Sequence, residues 1–246
     1  MTLCLAIDTS GEWCSVGVSD KAGETSAHLS QHLKRGHAEH LLPAIEQLFA
    51  DLGFDSTEEG YRSLERVAVT IGPGSFTGLR VGLSAARGIA LARSIPCIGI
   101  SSLMAAALSE VKDDGAAKAI FHVALLGRGG QVFYQPFISG PHLKSLKNAE
   151  NLFPEEIDFT FCEDFSEAHY LVGSGAGLLK EVFPQLSCSS IQLGKDHADL
   201  QRIAHAAFDL DPEQFLPVPH YMREADAIKA KSLFPLSPEM MKHDAP

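Results

Sequence analysis

The stretch from residue 66 to 93 constrains the fold most. A short β-branched run, Val67-Ala68-Val69-Thr70-Ile71, leads straight into Gly72-Pro73-Gly74-Ser75-Phe76-Thr77-Gly78, and residues 79–93 then carry a helical pattern. A strand that feeds a helix through a glycine-rich turn is the connecting unit of α/β folds. Such a turn presents backbone N–H groups at a helix N-terminus, which suits an anion. The spacing is G-x-G-x-x-x-G, one residue longer than the dinucleotide fingerprint, and the Lys-Ser/Thr pair of a P-loop is missing. Along the helix Gly78, Gly82, Ala86 and Ala90 recur every fourth residue, so one face is a groove of small side chains that another helix or backbone can approach closely.

Upstream, residues 3–7 form an apolar strand that ends in Asp8-Thr9-Ser10-Gly11, and residues 14–18 resume a strand, which predicts a hairpin. A third strand is expected over 24–33. Asp8, Thr9 and Ser10 put a carboxylate and two hydroxyls at the hairpin tip, where phosphate or magnesium can be approached, although all three are also ordinary turn residues. With Gly72 and Gly74 they are the candidate phosphate-binding residues. Apolar residues at Leu41, Leu42, Ile45, Leu48, Phe49 and Leu52 predict an amphipathic helix over 37–52, with Gly53 as its stop. Pro43 requires that helix either to begin there or to bend.

A strand over 96–100 and a helix over 102–110, capped by Ser101 or Ser102, complete a first lobe, and Asp113-Asp114-Gly115 breaks the pattern. The second half repeats the logic less clearly, with strands at 119–126, 132–138 and 170–172 and helices at 176–183 and 198–208. This alternation predicts an α/β chain with a lobe at 1–112, a smaller and divergent lobe at 113–228, and a tail of little periodicity at 229–246.

The 31 acidic and 20 basic side chains give a formal charge of −11, which repels a phosphate backbone, so any RNA contact needs a local basic patch or a basic partner. Five scattered cysteines without a C-x-x-C pair read as reduced, buried thiols. No basic n-region opens the chain, and no stretch approaches the roughly 18 apolar residues of a spanning helix, so a cytoplasmic protein is expected. His37 and His40 flank Glu39 on one helix face but lack a third ligand, which makes them surface histidines rather than a metal site. Ser75 falls outside the G-x-S-x-G elbow, and no triad or other catalytic residue is assigned.

Ile7-Asp8-Thr9-Ser10, Cys14-Ser15-Val16, Arg35-x-His37-Ala38-Glu39-x-Leu41-Leu42-Pro43, the string from Gly72 to Arg80 with Gly82, and Pro219-x-Tyr221-Met222-Arg223 together resemble the TsaB (YeaZ) family. The resemblance implies a two-lobed actin/Hsp70-like ATPase fold with RNase H-like lobes. It also implies a non-catalytic subunit that pairs with the related enzyme TsaD, with the small ATPase TsaE joining. Together they place threonylcarbamoyl on adenosine 37 of tRNAs that read codons beginning with A. Under that reading tRNA is met only through the complex, no cofactor is intrinsic, and ATP or ADP would sit at the partner interface. The chain alone would form a homodimer.

The helices at 37–52 and 77–93 are then the expected docking surface, with His37, Leu41, Gly74, Ser75, Phe76, Thr77, Gly78, Arg80, Gly82 and Ala86 as candidate partner-binding residues. TsaD relatives carry a metal-binding His-x-x-x-His pair where this chain has Ser102 and Ala106, and neither side chain can replace an imidazole. Many family members have Asp-Ala-Arg followed by Glu where this chain has Leu126-Gly127-Arg128 and then Gln131. The competing expectation is an independent ATPase or phosphotransferase of the same superfold, because fold does not settle function.

Overall fold

A computed structural model describes residues 2–111, 118–140, 142–162, 168–182, 184, 188–192 (backbone only) and 198–222. The expected boundary at 112/113, residue 183, Arg223 and the tail at 229–246 lie outside the described residues.

The first sheet contains β1 (Leu3–Asp8), β2 (Trp13–Asp20), β3 (Ser26–His32), β4 (Leu64–Gly72) and β5 (Cys97–Ser101), in the order β3-β2-β1-β4-β5. Antiparallel pairing joins β1, β2 and β3, whereas β1, β4 and β5 are parallel. The alternation of β1 divides the two sheet faces. Leu3, Leu5 and Ile7 face a core with α1 (His37–Asp51) and α3 (Phe76–Arg93), and Cys4 and Ala6 face a second core on the other side. α1 runs unbroken through Pro43, so the helix neither starts late nor stops at the ring. A short α2 (Thr57–Arg62), which periodicity does not reveal, is capped by Ser56 through the Glu59 N–H. α4 (Ser102–Glu110) lies where expected, with the Ser101 side chain accepting from the Met104 N–H at 3.0 Å.

The second sheet repeats the plan. β6 (Ala119–Leu126) and β7 (Val132–Ile138) form an antiparallel hairpin, the small strands β8 (Lys144–Ser145) and β9 (Glu150–Leu152) extend it beside β7, and β10 (Ala168–Val172) and β11 (Cys188–Gln192) add parallel strands on the other side of β6. Hairpin, central strand and two parallel strands therefore occur twice, the arrangement of a two-lobed, RNase H-like, actin/Hsp70-like fold. α5 (Ala176–Val182) covers one side of the second sheet, where Ala176 and Leu179 pack with Val132 and Leu171.

α6 (Leu200–Ala206) belongs to the second half of the sequence but docks on β1 and β2 of the first sheet. Gly17 makes this approach possible, since an ideal Cβ there would stand 2.5 Å from Leu200 Cβ. The core holding Leu200, Ile203 and Ala204 also holds Ile98 and Leu103 from the first lobe and Phe121, Val123 and Val172 from the second, so α4 and α6 are the shared filling between the sheets. Arg66 of β4 fastens this junction: its Nη1 donates to the Ala207 and Phe208 carbonyls, and its guanidinium lies 5.2 Å from the Phe208 ring centre. Hydrogen bonds from a charged donor contribute more than neutral ones. Arg66→Ala should therefore lower unfolding free energy by about 2 kcal/mol, measured by urea denaturation, and should speed amide exchange across residues 200–208 before it does so in β1.

Candidate functional site

The hairpin tip and the glycine-rich turn meet, as the pattern suggests, but each grips the other. Asp8 Oδ1 accepts from the Ser10 N–H at 2.9 Å and from Thr70 Oγ1 at 2.6 Å. The Ser75 N–H donates to the Ser10 carbonyl at 2.6 Å, and Thr9 Oγ1 donates to the Gly78 carbonyl at 2.7 Å. The helix terminus is capped internally as well, with the Gly78 N–H donating to Ser75 Oγ at 3.2 Å. An ideal Cβ on Gly74 would lie 2.4 Å from the Ser10 carbonyl oxygen, and one on Gly78 would lie 2.0 Å from that of Thr9. Asp8, Thr9, Ser10 and Gly74 thus form an internal joint with no gap for a phosphate between Ser10 and Gly74. Gly72 is used elsewhere: it sits at φ 107°, and its ideal Cβ would approach the His220 carbonyl to 3.0 Å.

The small-residue groove of α3 is taken up in the same way. Gly78, Gly82, Ala86 and Ala90 are buried, and the ideal Cβ of Gly82 would come within 2.5 Å of Thr9 Oγ1. Leu41 is buried under α1 with Ile45 and Leu48. Leu41, Gly78, Gly82 and Ala86 therefore serve their own lobe, a correction to their expected role as direct partner contacts. Periodicity identifies residues that share a face but not what covers it, and here the lobe's own first strand does. Gly74, Ser75, Phe76, Thr77 and Arg80 remain exposed, while His37 is half-buried with no hydrogen-bond partner at its buried Nε2. Arg93 is spent within the lobe, donating to the Tyr61 and Arg62 carbonyls.

What stays open is a groove of about 500 Å³ between α1 and α3, with Leu41 at its floor and Leu42, Phe76, Thr77, Arg80 and Val81 among its walls. Leu42 and Phe76 are 47% and 43% exposed on the walls of the same groove, and it is apolar side chains grouped in this way, rather than scattered singly, that mark interaction surfaces. The Arg80 guanidinium covers the Phe76 ring at 3.8 Å, and the Tyr221 ring packs on Phe76 with centres 5.2 Å apart. The sequence showed Tyr221 in a motif but gave no place for it.

Among the described residues no three His, Cys, Asp or Glu side chains converge as metal ligands, and no helix is long and apolar enough to cross a membrane. Ser102, at the first position of α4, is buried with its hydroxyl unpaired, and Ala106 is half-buried. Cys4, Cys14 and Cys97 are free thiols, and burial pushes Cys14 and Cys97 up to about 11, well away from a nucleophilic thiolate. Leu126, Gly127, Arg128 and Gln131 form the tight β6–β7 turn, closed by Gly127 N–H to the Gln131 carbonyl at 2.8 Å. The second lobe buries a polar chain that the sequence did not reveal: His122 Nδ1 lies 2.8 Å from the Tyr134 hydroxyl, and its Nε2 lies 2.9 Å from His169 Nδ1.

In sequence, residues 29–137, which span α1 and α3, match the family model described as TsaD, tRNA N6-adenosine threonylcarbamoyltransferase. The tRNA threonylcarbamoyladenosine biosynthesis protein TsaB of Escherichia coli is 34% identical over 133 residues, covering 54% of each chain. The chain thus aligns with about half the length of the curated relatives it matches. Two solved Pseudomonas aeruginosa structures share the fold: one described as similar to peptidase YeaZ (TM-score 0.73, 23% identity, covering 91% of this chain and 100% of that one), the other as YeaZ (0.71, 24%, 90% and 100%). The chain is similar to the TsaB (YeaZ) proteins in sequence over about half its length and in fold over most of it.

Two measurements test the joint and the buried polar chain. Gly78→Ala must push Thr9 and α3 apart and should lower stability by about 1–3 kcal/mol, as read by thermal melting. Burial, and then the neighbouring His169, lower the pKa of His122 from 6.5 to about 3, so it is neutral in the fold. The unfolded chain binds a proton near pH 6.5 that the folded chain refuses, so stability is full above that pH and falls as pH drops toward 3. In His122→Leu that part of the acid sensitivity should vanish from urea midpoints measured between pH 7 and 4.

Proposed function

We propose that this chain is a non-catalytic partner subunit in threonylcarbamoylation of tRNA adenosine 37, and that it docks a TsaD-type enzyme through the α1–α3 groove. The observation that carries this reading is the exposed apolar and aromatic surface at Leu42 and Phe76, inside the segment that matches the TsaD family model. An enzyme with the same helix pair can present a matching surface, so two related lobes would meet across a quasi-twofold axis. A standard interface buries about 1,600 Å², enough to hold a partner in its working shape without contact with the substrate. The same face offers a route to a homodimer when the enzyme is absent.

The remaining parts of the proposal follow from the same surfaces. The clasp between Ser10 and Gly74 closes the place where a phosphate loop would work, so ATP or ADP would bind at the partner interface rather than within this chain. Ser102 and Ala106 supply no imidazole where the resemblance puts the enzyme's metal ligands. With a net charge of −11 the chain would meet tRNA only through the assembled complex, in the cytoplasm, with TsaE joining.

Size-exclusion chromatography with light scattering, on the chain mixed with its cognate TsaD, tests the pairing. A one-to-one heterodimer that replaces a homodimer supports it. Chains that remain apart with and without ATP and magnesium overturn it, and ATP turnover by the isolated chain would point to the independent enzyme instead. Phe76→Asp should weaken the complex by about 30-fold or more, the scale of a central aromatic anchor, with little change in melting temperature because the side chain is exposed.

A further inference from the structure

The motif Pro219-x-Tyr221-Met222 has no role in the two helices that form the groove, yet the structure carries it there. After α6 the chain runs back across the first lobe as a strap. The Phe215 carbonyl accepts from the Gly99 N–H of β5 at 2.8 Å, and the His220 N–H donates to the Ile71 carbonyl of β4 at 2.8 Å. The Ile71 contact falls at the end of β4, which leads through the glycine-rich turn into α3, and the Gly99 contact falls midway along the neighbouring β5. Gly72 and Gly99 leave room for the passage: ideal Cβ atoms there would stand 3.0 Å from the His220 carbonyl and 2.3 Å from the Leu216 carbonyl.

The strap delivers Tyr221 to the first turn of α3. Its ring packs on Phe76, and its hydroxyl accepts from Arg80 Nε at 3.4 Å across 141 positions of sequence. Phe76 thus touches Arg80 and Tyr221, and both rings stay 43% exposed. Phe76 and Arg80 line the groove, and Tyr221 extends it beyond α3. An exposed tyrosine ring carries large contact area with few rotamers to fix, which is why such residues anchor interfaces.

Resting on the proposed pairing, we infer that Tyr221 is a third element of the docking face. It holds Phe76 and Arg80 in their docking pose and is itself covered by the TsaD-type partner. The occupant is that partner because its matched segment contains the counterparts of α1 and α3, and a facing helix pair is wide enough to cover the groove and the ring beside it. Recognition therefore depends on a strap that arrives from the far end of the described chain, and the junction between the lobes has to be in place before the face is complete.

The test measures the affinity of the full chain for its cognate TsaD by isothermal titration calorimetry, with wild type, Tyr221→Ala, Tyr221→Phe and Arg80→Ala, and follows the melting temperature of each. Tyr221→Ala should bind at least tenfold more weakly with melting unchanged. Tyr221→Phe, which keeps the ring and loses only a long hydrogen bond, should stay within about threefold, and Arg80→Ala should fall between the two. Equal affinities for wild type and Tyr221→Ala would overturn the inference and leave the pairing intact. A Tyr221→Ala defect matched by Tyr221→Phe would also overturn it, because the ring would then not be the anchor. If wild type itself fails to bind, the pairing falls, and the inference falls with it.

Discussion

The first turn of α3 is fixed by its seating against the Asp8–Ser10 turn, while the rest of the helix lies along β4. Hydrogen bonds from Ser75 N–H and Thr9 Oγ1 draw the two segments together, and glycine at 74, 78 and 82 lets the backbones meet. Here the two loops are closed onto each other, and the closure fixes the angle at which α3 leaves the sheet. The groove between α1 and α3 begins directly after this joint, at Phe76 and Thr77, so the turn that resembles a ligand site also braces the groove beside it.

Much of this architecture could be read from the sequence. The hairpin, α1, the strand–turn–helix unit and the Ser101 cap of α4 all rest on local signals: alternation, helical spacing, and residues suited to turns or caps. What could not be read depends on which distant segment covers a face. The spacing of Gly78, Gly82 and Ala86 announces close approach to something, and one sequence does not distinguish a partner helix from the chain's own Thr9. The return of α6 and of the strap to the first sheet is invisible for the same reason, since Gly17 and Gly99 read as ordinary strand glycines until Leu200 and Leu216 are seen against them. Tyr221 gave the opposite problem, a recognisable motif with no visible place.

The two lobes divide polar from apolar work differently. In the first lobe buried Asp8, Thr9 and Thr70 hold the brace at the turn. The second lobe places His122, Tyr134 and His169 in the body of its sheet, among the rings of Phe159 and Phe161. A neutral imidazole has one donor and one acceptor, so the Tyr134–His122–His169 chain is satisfied only when its hydrogen bonds run in one consistent direction. Such a network selects one arrangement of three strands over alternatives that an all-apolar core would tolerate. That suits a lobe whose β8 and β9 supply only two and three residues of sheet edge.

These constraints converge on the junction. α4 and α6 form a core common to both sheets, Arg66 ties the end of α6 to β4, and the strap that follows α6 ends at Phe76 and Arg80. Loosening the junction would therefore reach the exposed Phe76–Tyr221 pair along a covalent path of fewer than twenty residues, from Ala207 to Tyr221, that is pinned at Gly99 and Ile71. The strap thus couples the packing between the two sheets to the exposed rings of Phe76 and Tyr221 at the first turn of α3.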